Sequence, residues 1–364
     1  MTAITVSVTD ALGAVATASA TFTVQASGTV PMPALTTGAG LALRPFYNGG
    51  THVLMWQGPV GGGPSNGDYT LQTATLTVVG GSITSTGPNT IIELKYATGN
   101  PAFQINHNNV TIRRCVAQIT PANTDGSYAI YCAQGVTGLI VEDCYIDANA
   151  NSNEGNGVSG DQTQGPGVTG CTIRRCNAFR CGQLVRFILN NVSVTENYCH
   201  EFSGADADHV EVYPVGGVCN HLLIQHNYFT GPDNSVQGAD SAINLSPGAG
   251  LPGGTIGPDV VIDSNWFVWT QTVQNIAWQS HSICNGIGGR TGGNQERLTF
   301  SCTNNGIYNV AGGYGGPTLM GSESSGSATS GGGLISPCSG NYVMATPTST
   351  TGVPYPGING PGQL

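Results

Sequence analysis

Charge is what this chain has least of. Only 8% of its 364 residues are Asp, Glu, Lys or Arg, about a third of the usual share near 25%. Lysine occurs once, at Lys95, and arginine supplies the other nine cations. With a net charge of −10, the chain lacks the basic patch that a phosphate-backbone binder needs. A disordered polyelectrolyte is excluded too, because 39% of the residues are hydrophobic. No apolar run reaches the roughly 18 residues of a membrane-crossing helix. Periodic Ala, Glu, Lys and Leu are missing, which excludes a coiled coil or helical bundle. There is no Cys-x-x-Cys pair and no Cys/His cluster of zinc spacing. The eleven cysteines therefore read as buried reduced thiols, packed as small hydrophobes. The first eight residues, Met-Thr-Ala-Ile-Thr-Val-Ser-Val, have no basic n-region. Their alternation is that of a strand and not of a signal peptide.

What is abundant is glycine, 55 residues, roughly twice the usual share of about 7%, without the three-residue period of collagen. A nine-residue pattern also recurs. It starts at Val110, Leu139, Cys171, Val192, Leu222 and Val260, with a weaker copy at Leu298. The first copy is Val-Thr-Ile-Arg-Arg-Cys-Val-Ala-Gln and the sixth is Val-Val-Ile-Asp-Ser-Asn-Trp-Phe-Val. Positions one and three are apolar and position two is mostly polar, the alternation of a strand with one buried face. Position six holds Cys115, Cys144, Cys176, Asn197, Asn227 and Asn265. One small polar or thiol residue in one slot predicts a stacked internal ladder at a bend, which Asn tolerates well.

A second strand is expected before each copy, as in Ala102 to Ile105, Ala129 to Cys132, Leu184 to Leu189, His209 to Tyr213 and Ala242 to Leu245. Strand, tight turn, strand and variable loop, repeated every 21 to 38 residues, is the grammar of a parallel β-helix. No repeat can bury its own apolar face, so neighbours stack. The expected fold is all-β, a right-handed parallel β-helix or solenoid. A sandwich would not keep one residue type in one slot, and a propeller would need a steadier period.

The Val-Thr-Ile-x-x-Cys/Asn-x-hydrophobe repeat, over about residues 90 to 310, resembles the pectate-lyase-like right-handed parallel β-helix superfamily. That group includes polysaccharide lyases, glycoside hydrolases, epimerases and bacteriophage tailspikes. The resemblance implies the fold and leaves the activity open, since one fold hosts many functions.

The expected organisation is a β-hairpin at residues 1–26, resembling the last two strands of a bacterial immunoglobulin-like domain. A linker follows at 27–43, then the β-helix at 44–310 and a Gly/Ser/Pro-rich cap or tail at 311–364. An isolated hairpin is marginal in water, so this one is expected to find a partner.

Polar clusters stand out in so apolar a chain. The densest is Asp206-Ala-Asp-His-Val-Glu-Val-Tyr213. With Val210 and Val212 inward, His209, Glu211 and Tyr213 are expected to share the outer face. Glu211, Asp208, His209 and Arg186 are the candidate catalytic residues, as carboxylate, imidazole and guanidinium suited to acid–base work on a glycan. Asp161, Asn244, Tyr213 and Trp278 are the candidate carbohydrate contacts. No metal site is expected apart from Asp206 and Asp208, which suit Ca²⁺ as oxygen ligands. Arg186 and Glu211 read equally well as a cross-repeat ion pair. The dibasic pairs Arg113-Arg114 and Arg174-Arg175 are expected to pair with Glu142, Asp143 or Glu196. Trp266, Trp269 and Tyr228 read as packing, with sugar stacking as the alternative.

The resemblance implies a basic residue as proton acceptor in lyases, a part for Arg186, but no lyase motif surrounds it. Polygalacturonase-type hydrolases carry an Asp-Asp pair, which this sequence lacks. The leading expectation is a bacteriophage virion protein: a tailspike, minor tail protein or capsid-decorating spike. Resemblance to tailspikes implies a homotrimer, joined to other virion proteins through the hairpin and able to bind host surface polysaccharide. An extracellular polysaccharide lyase or glycoside hydrolase and a bacterial surface adhesin, secreted or on the cell surface, are the alternatives. No nucleic-acid or membrane partner is expected.

Overall fold

The computed structural model describes residues 2–9, 15–22, 44–57, 72–120, 127–149, 155–160, 168–186, 188–201, 207–212, 218–219, 221–230, 239–245, 255–256, 259–269, 282–285, 299–309, 318–321, 334–346 and 352–354. Every regular element in them is a β-strand. Two units separate, Met1–Met32 and Pro33–Leu364. In the first, Thr2–Thr9 pairs antiparallel with Val15–Phe22, from Thr2 opposite Phe22 to Thr9 opposite Val15.

The second unit is built on three long sheets. In chain order, each repeat gives one strand to sheet I, one to sheet II and one to sheet III, and then begins again. Phe103–Ile105, Thr111–Arg113 and Val116–Gln118 are one such set. Sheets I and II have nine strands each, and sheet III has eleven. Neighbouring strands in the three sheets are parallel, except where Gly352–Pro354 pairs antiparallel with Tyr342–Met344 at one edge of sheet III. Ahead of the stack, Arg44–Asn48, Val53–Gln57 and Gln72–Thr75 form a separate antiparallel sheet. Beyond residue 310, Thr318–Gly321, Leu334–Ser339 and Tyr342–Met344 add a further strand to each sheet in turn.

The nine-residue motif is two strands and a corner, not one strand with a bend. Its first half lies in sheet II and its second half in sheet III. Position five carries the corner in the left-handed region: Arg114 (φ 51°), Asp143 (54°), Arg175 (53°), Glu196 (60°), His226 (55°), Ser264 (53°) and Asn304 (56°). A non-glycine residue there costs about 1–2 kcal/mol. The neighbouring position six offsets that cost with a buried ladder. Asn197, Asn227, Asn265, Asn305 and Asn341 pass one amide hydrogen bond to the next, Nδ2 to Oδ1, at 3.0–3.1 Å. Each Oδ1 also accepts the backbone N–H of position six in the preceding repeat at 2.9 Å. In the first half of the stack Cys115, Cys144 and Cys176 replace asparagine, and their thiols donate to Ile92, Ile112 and Val141 carbonyls at 3.5–3.7 Å. All eight cysteines with described side chains are buried.

The register corrects the last copy. Cys302 faces Ile262 and Thr303 faces Asp263, so position one is Phe300 and not Leu298. A copy before Val110 is also present, with Ile92 opposite Ile112 and Tyr96 opposite Val116.

Outside the corner, charge alternates from repeat to repeat. Arg113 and Arg114 hold Glu93 at 3.0 and 3.6 Å, Arg174 and Arg175 hold Glu142 at 2.7 and 3.0 Å, and Arg175 also holds Asp143 at 2.9 Å. Arg174-Arg175 thus meet the expected Glu142 and Asp143, whereas Arg113-Arg114 pair with Glu93, which was not among the expected partners. Further along the same column Asp263 accepts from Gln225, Ser264, Thr303 and Asn304. Burial alone would raise the Glu142 carboxyl, but the Arg174 hydrogen bond and the two guanidinium charges outweigh it and hold the group low. Asp263 is likewise held low, its four donors outweighing burial. The unfolded chain therefore binds these protons first. Both groups add stability above their ordinary values of 4.5 and 3.8, and that stability is withdrawn as pH falls through the lower folded values. The urea midpoint is expected to drop between pH 5 and pH 3 (about the window of these ordinary values), and to drop less in Glu142→Gln. An equal drop in both proteins would refute this account.

Candidate functional site

Sheet I is where the polar residues gather. Its core column is Phe103, Ile130, Val158, Val185, Val210 and Ile243, all fully buried and in register from strand to strand. One residue further along each strand the column reads Gln104, Tyr131, Ser159, Arg186 and Glu211, again in register. Each member lies across the strand from its core neighbour; Gln104, Tyr131 and Arg186 are half-buried, and Ser159 and Glu211 are buried. Asn244 and Asn285 continue the same register. Two residues before the core column lie Tyr128, Asn156 and Gln183, and Asp208 is set beside Ser241.

The strands thus follow polar, buried, buried, polar: Tyr128-Ala-Ile-Tyr131, Asn156-Gly-Val-Ser159, Gln183-Leu-Val-Arg186 and Asp208-His-Val-Glu211. Ala129, Leu184 and His209 take the second buried position, at 0%, 0% and 2% exposure. This overturns the expected placing of His209 beside Glu211 on the outer face. Two consecutive residues turn inward, where strict alternation allows one. The His209 ring lies on the core residue Phe229, 4.8 Å between centroids and 28° from parallel, and Phe229 lies on Phe267.

Arg186 and Glu211 meet across neighbouring strands, Nε to Oε2 2.7 Å, with side-chain exposures of 18% and 4%. The rings of Tyr128 and Tyr131 stand 5.2 Å apart at 46°, three residues apart on one strand. Asn156, Ser159 and Gln183 are fully buried. The Asn156 amide donates to the Ser127 carbonyl at 3.3 Å.

Of the sequence candidates, the structure brings Arg186, Glu211 and Asn244 to adjacent positions of one column. Asp208 lies on the same strand as Glu211, and for it and Asn244 only the strand position is described. Asp161, Asp206, Tyr213 and Trp278 lie outside the described residues, and with them most of the Ca²⁺ expectation. Among the described residues no three His, Cys, Asp or Glu side chains form a metal-holding group. Tyr128, Tyr131, Asn156, Ser159 and Gln183 were not expected at the site. Their signal was the recurring polar pair at a spacing of three.

Trp266 and Tyr228 of the later repeats are packing groups. Trp266 and Tyr228 are buried with Val268 and Met344, and the Trp266 indole donates to the Tyr342 hydroxyl at 2.9 Å. That is the packing reading of Trp266 and Tyr228 rather than the sugar-stacking one. Chemically, the column offers a carboxylate tied to a guanidinium, with amides, hydroxyls and two phenol rings alongside. Gln104, Tyr131 and Arg186 in it and Tyr128 alongside are half-buried, whereas Ser159 and Glu211 are buried. Comparison with known proteins finds no matching family, no matching curated protein and no matching solved structure.

Proposed function

We propose that the three sheets close into a right-handed parallel β-helix and that its sheet I face binds a host surface glycan. The setting is a bacteriophage virion, where the chain serves as a tailspike, minor tail protein or capsid-decorating spike, trimeric and joined to its neighbours through the N-terminal hairpin. One observation carries the glycan reading. An uninterrupted polar column, Gln104 to Glu211 and on to Asn285, runs in register along a stack whose neighbouring column is wholly apolar. Closure is supported by the unvarying order in which each repeat visits sheets I, II and III, and the right hand by the crossover rule.

Catalysis is the second reading, and the pair of carboxylates on one rigid strand, Asp208 and Glu211, is what favours it. Glu211 is already engaged by Arg186, which suits binding better than proton transfer. The fluorescently labelled full chain on a glycan microarray is expected to bind a defined set of glycans. Incubation with those glycans is expected to release no new reducing or unsaturated ends. Product release that Glu211→Gln abolishes would make the protein an enzyme. An array with no bound spots would end the glycan reading.

A further inference from the structure

The class of sugar is a question that rests on the glycan-binding reading of sheet I, and the charge distribution narrows it. Between Arg186 and Arg290 the sequence has no lysine or arginine at all, while it carries Glu196, Glu201, Asp206, Asp208, Glu211, Asp233, Asp240, Asp259 and Asp263. That stretch supplies the sheet I strands Ala207–Val212, Ala239–Leu245 and Ser282–Asn285. Upstream, all six arginines with described side chains already hold a carboxylate within 4 Å. Arg113, Arg114, Arg174 and Arg175 do so at the sheet II corner, Arg180 with Asp147, and Arg186 with Glu211. Arg186 is the one that belongs to the polar column of sheet I.

Among the described residues of this column a polyanion would find one cation, Arg186, already paired with Glu211, and a net charge of −10 opposes its approach. An uncharged chain meets none of these costs. Gln104 and Tyr131 are the neutral, half-buried hydrogen-bonding side chains of this column, matched to sugar hydroxyls, and Asn244 and Asn285 hold later positions of the same register. The Tyr128 and Tyr131 rings offer an apolar face with a polar rim, as the face of a pyranose does. Strands repeat about every 4.8 Å, close to the length of one sugar unit, so each unit of a chain lying along the stack meets one strand. We infer that the ligand of sheet I is a neutral polysaccharide, of hexose or N-acetylhexosamine units, and not a uronate, sulfate or phosphate polymer.

The test is native affinity electrophoresis of the full chain through gels containing one dissolved polysaccharide each. Dextran, galactomannan and mixed-linkage β-glucan are the neutral probes; polygalacturonate, alginate and hyaluronate are the acidic ones. Each gel is run at low and high salt, with EDTA or with Ca²⁺. A neutral ligand predicts retardation in at least one neutral gel, equal at low and high salt and unaffected by EDTA. Tyr131→Ala, with an unchanged melting temperature, is expected to weaken that retardation about tenfold, the loss of one stacking ring. Retardation confined to acidic gels, or stronger there and relieved by salt or EDTA, overturns the neutral-ligand inference and leaves glycan binding standing. No retardation in any gel overturns the glycan-binding reading, and the neutral ligand with it.

Discussion

Asn227→Ala is expected to lower the free energy of unfolding by about 3 to 5 kcal/mol, at about 1–3 kcal/mol for each buried polar group left unmade. The side chain is fully buried and serves two neighbours at once. Its Oδ1 accepts from the Asn197 backbone N–H at 2.9 Å and from Asn197 Nδ2 at 3.0 Å. Its Nδ2 donates to the Val194 carbonyl at 2.8 Å and to Asn265 Oδ1 at 3.0 Å. Alanine strands the Asn197 N–H and the Val194 carbonyl away from water. Cys144→Ala, in the same slot of an earlier repeat, removes a weak donor 3.6 Å from the Ile112 carbonyl and is expected to cost only roughly 1 kcal/mol. Urea unfolding of the two variants measures the difference. Equal midpoints would mean that the asparagine column is decoration and the apolar core alone sets stability.

Arg186→Met is expected to cost about 3 kcal/mol, because it leaves Glu211 in its buried place without the cation 2.7 Å away. The loss should depend on pH in the sense opposite to that of Glu142. A buried carboxyl without its cation takes a proton more readily folded than unfolded. The variant is therefore closest to the wild type at low pH, and the gap widens as pH rises through the folded value. The double variant Arg186→Met/Glu211→Leu removes both charges and is expected to recover most of the loss. Denaturant curves at several pH values measure all of this. Single costs that simply add in the double variant would show that the two side chains do not act as a pair.

The repeat is legible because two kinds of signal coincide in it: period-two alternation and one recurrent small polar residue. Where one signal is missing, the other misleads. In the last copy Leu298, Phe300 and Cys302 all fit the apolar slots, and a shift of two residues keeps every side chain on its own face. Only Asn305 beneath Asn265 fixes that register. The copy before Val110 has Leu94 at the corner and Lys95 at position six, where the others have Cys or Asn, so it does not stand out as a copy. His209 goes astray for a different reason. Strict alternation fails on a strand in which two consecutive residues turn inward, and Ala129-Ile130 and Leu184-Val185 already carry that pattern. The ion pair of Arg186 and Glu211 is legible from residue type alone. Its neighbours Tyr131 and Ser159 are legible only once the strands are aligned, because their signal is the polar pair at a spacing of three and neither residue carries a motif alone.

The amide ladder also has a direction. From Asn197 to Asn305 one Nδ2–H of each amide points to the next repeat and each Oδ1 to the preceding one, so the amide dipoles add head to tail and their oxygen end abuts the column of thiols at Cys176. A thiolate in that column would face this negative pole in an apolar interior. Burial already pushes the Cys132 and Cys181 thiols up to about 12 and Cys144 well above its ordinary range, with Cys115 and Cys176 adding to the effect. The thiolate is the form that oxidants and disulfides attack through. Cys132, Cys144, Cys171 and Cys181 are thus held as unreactive thiols, equally at ease in a reducing cytosol and in the oxidising medium outside a cell.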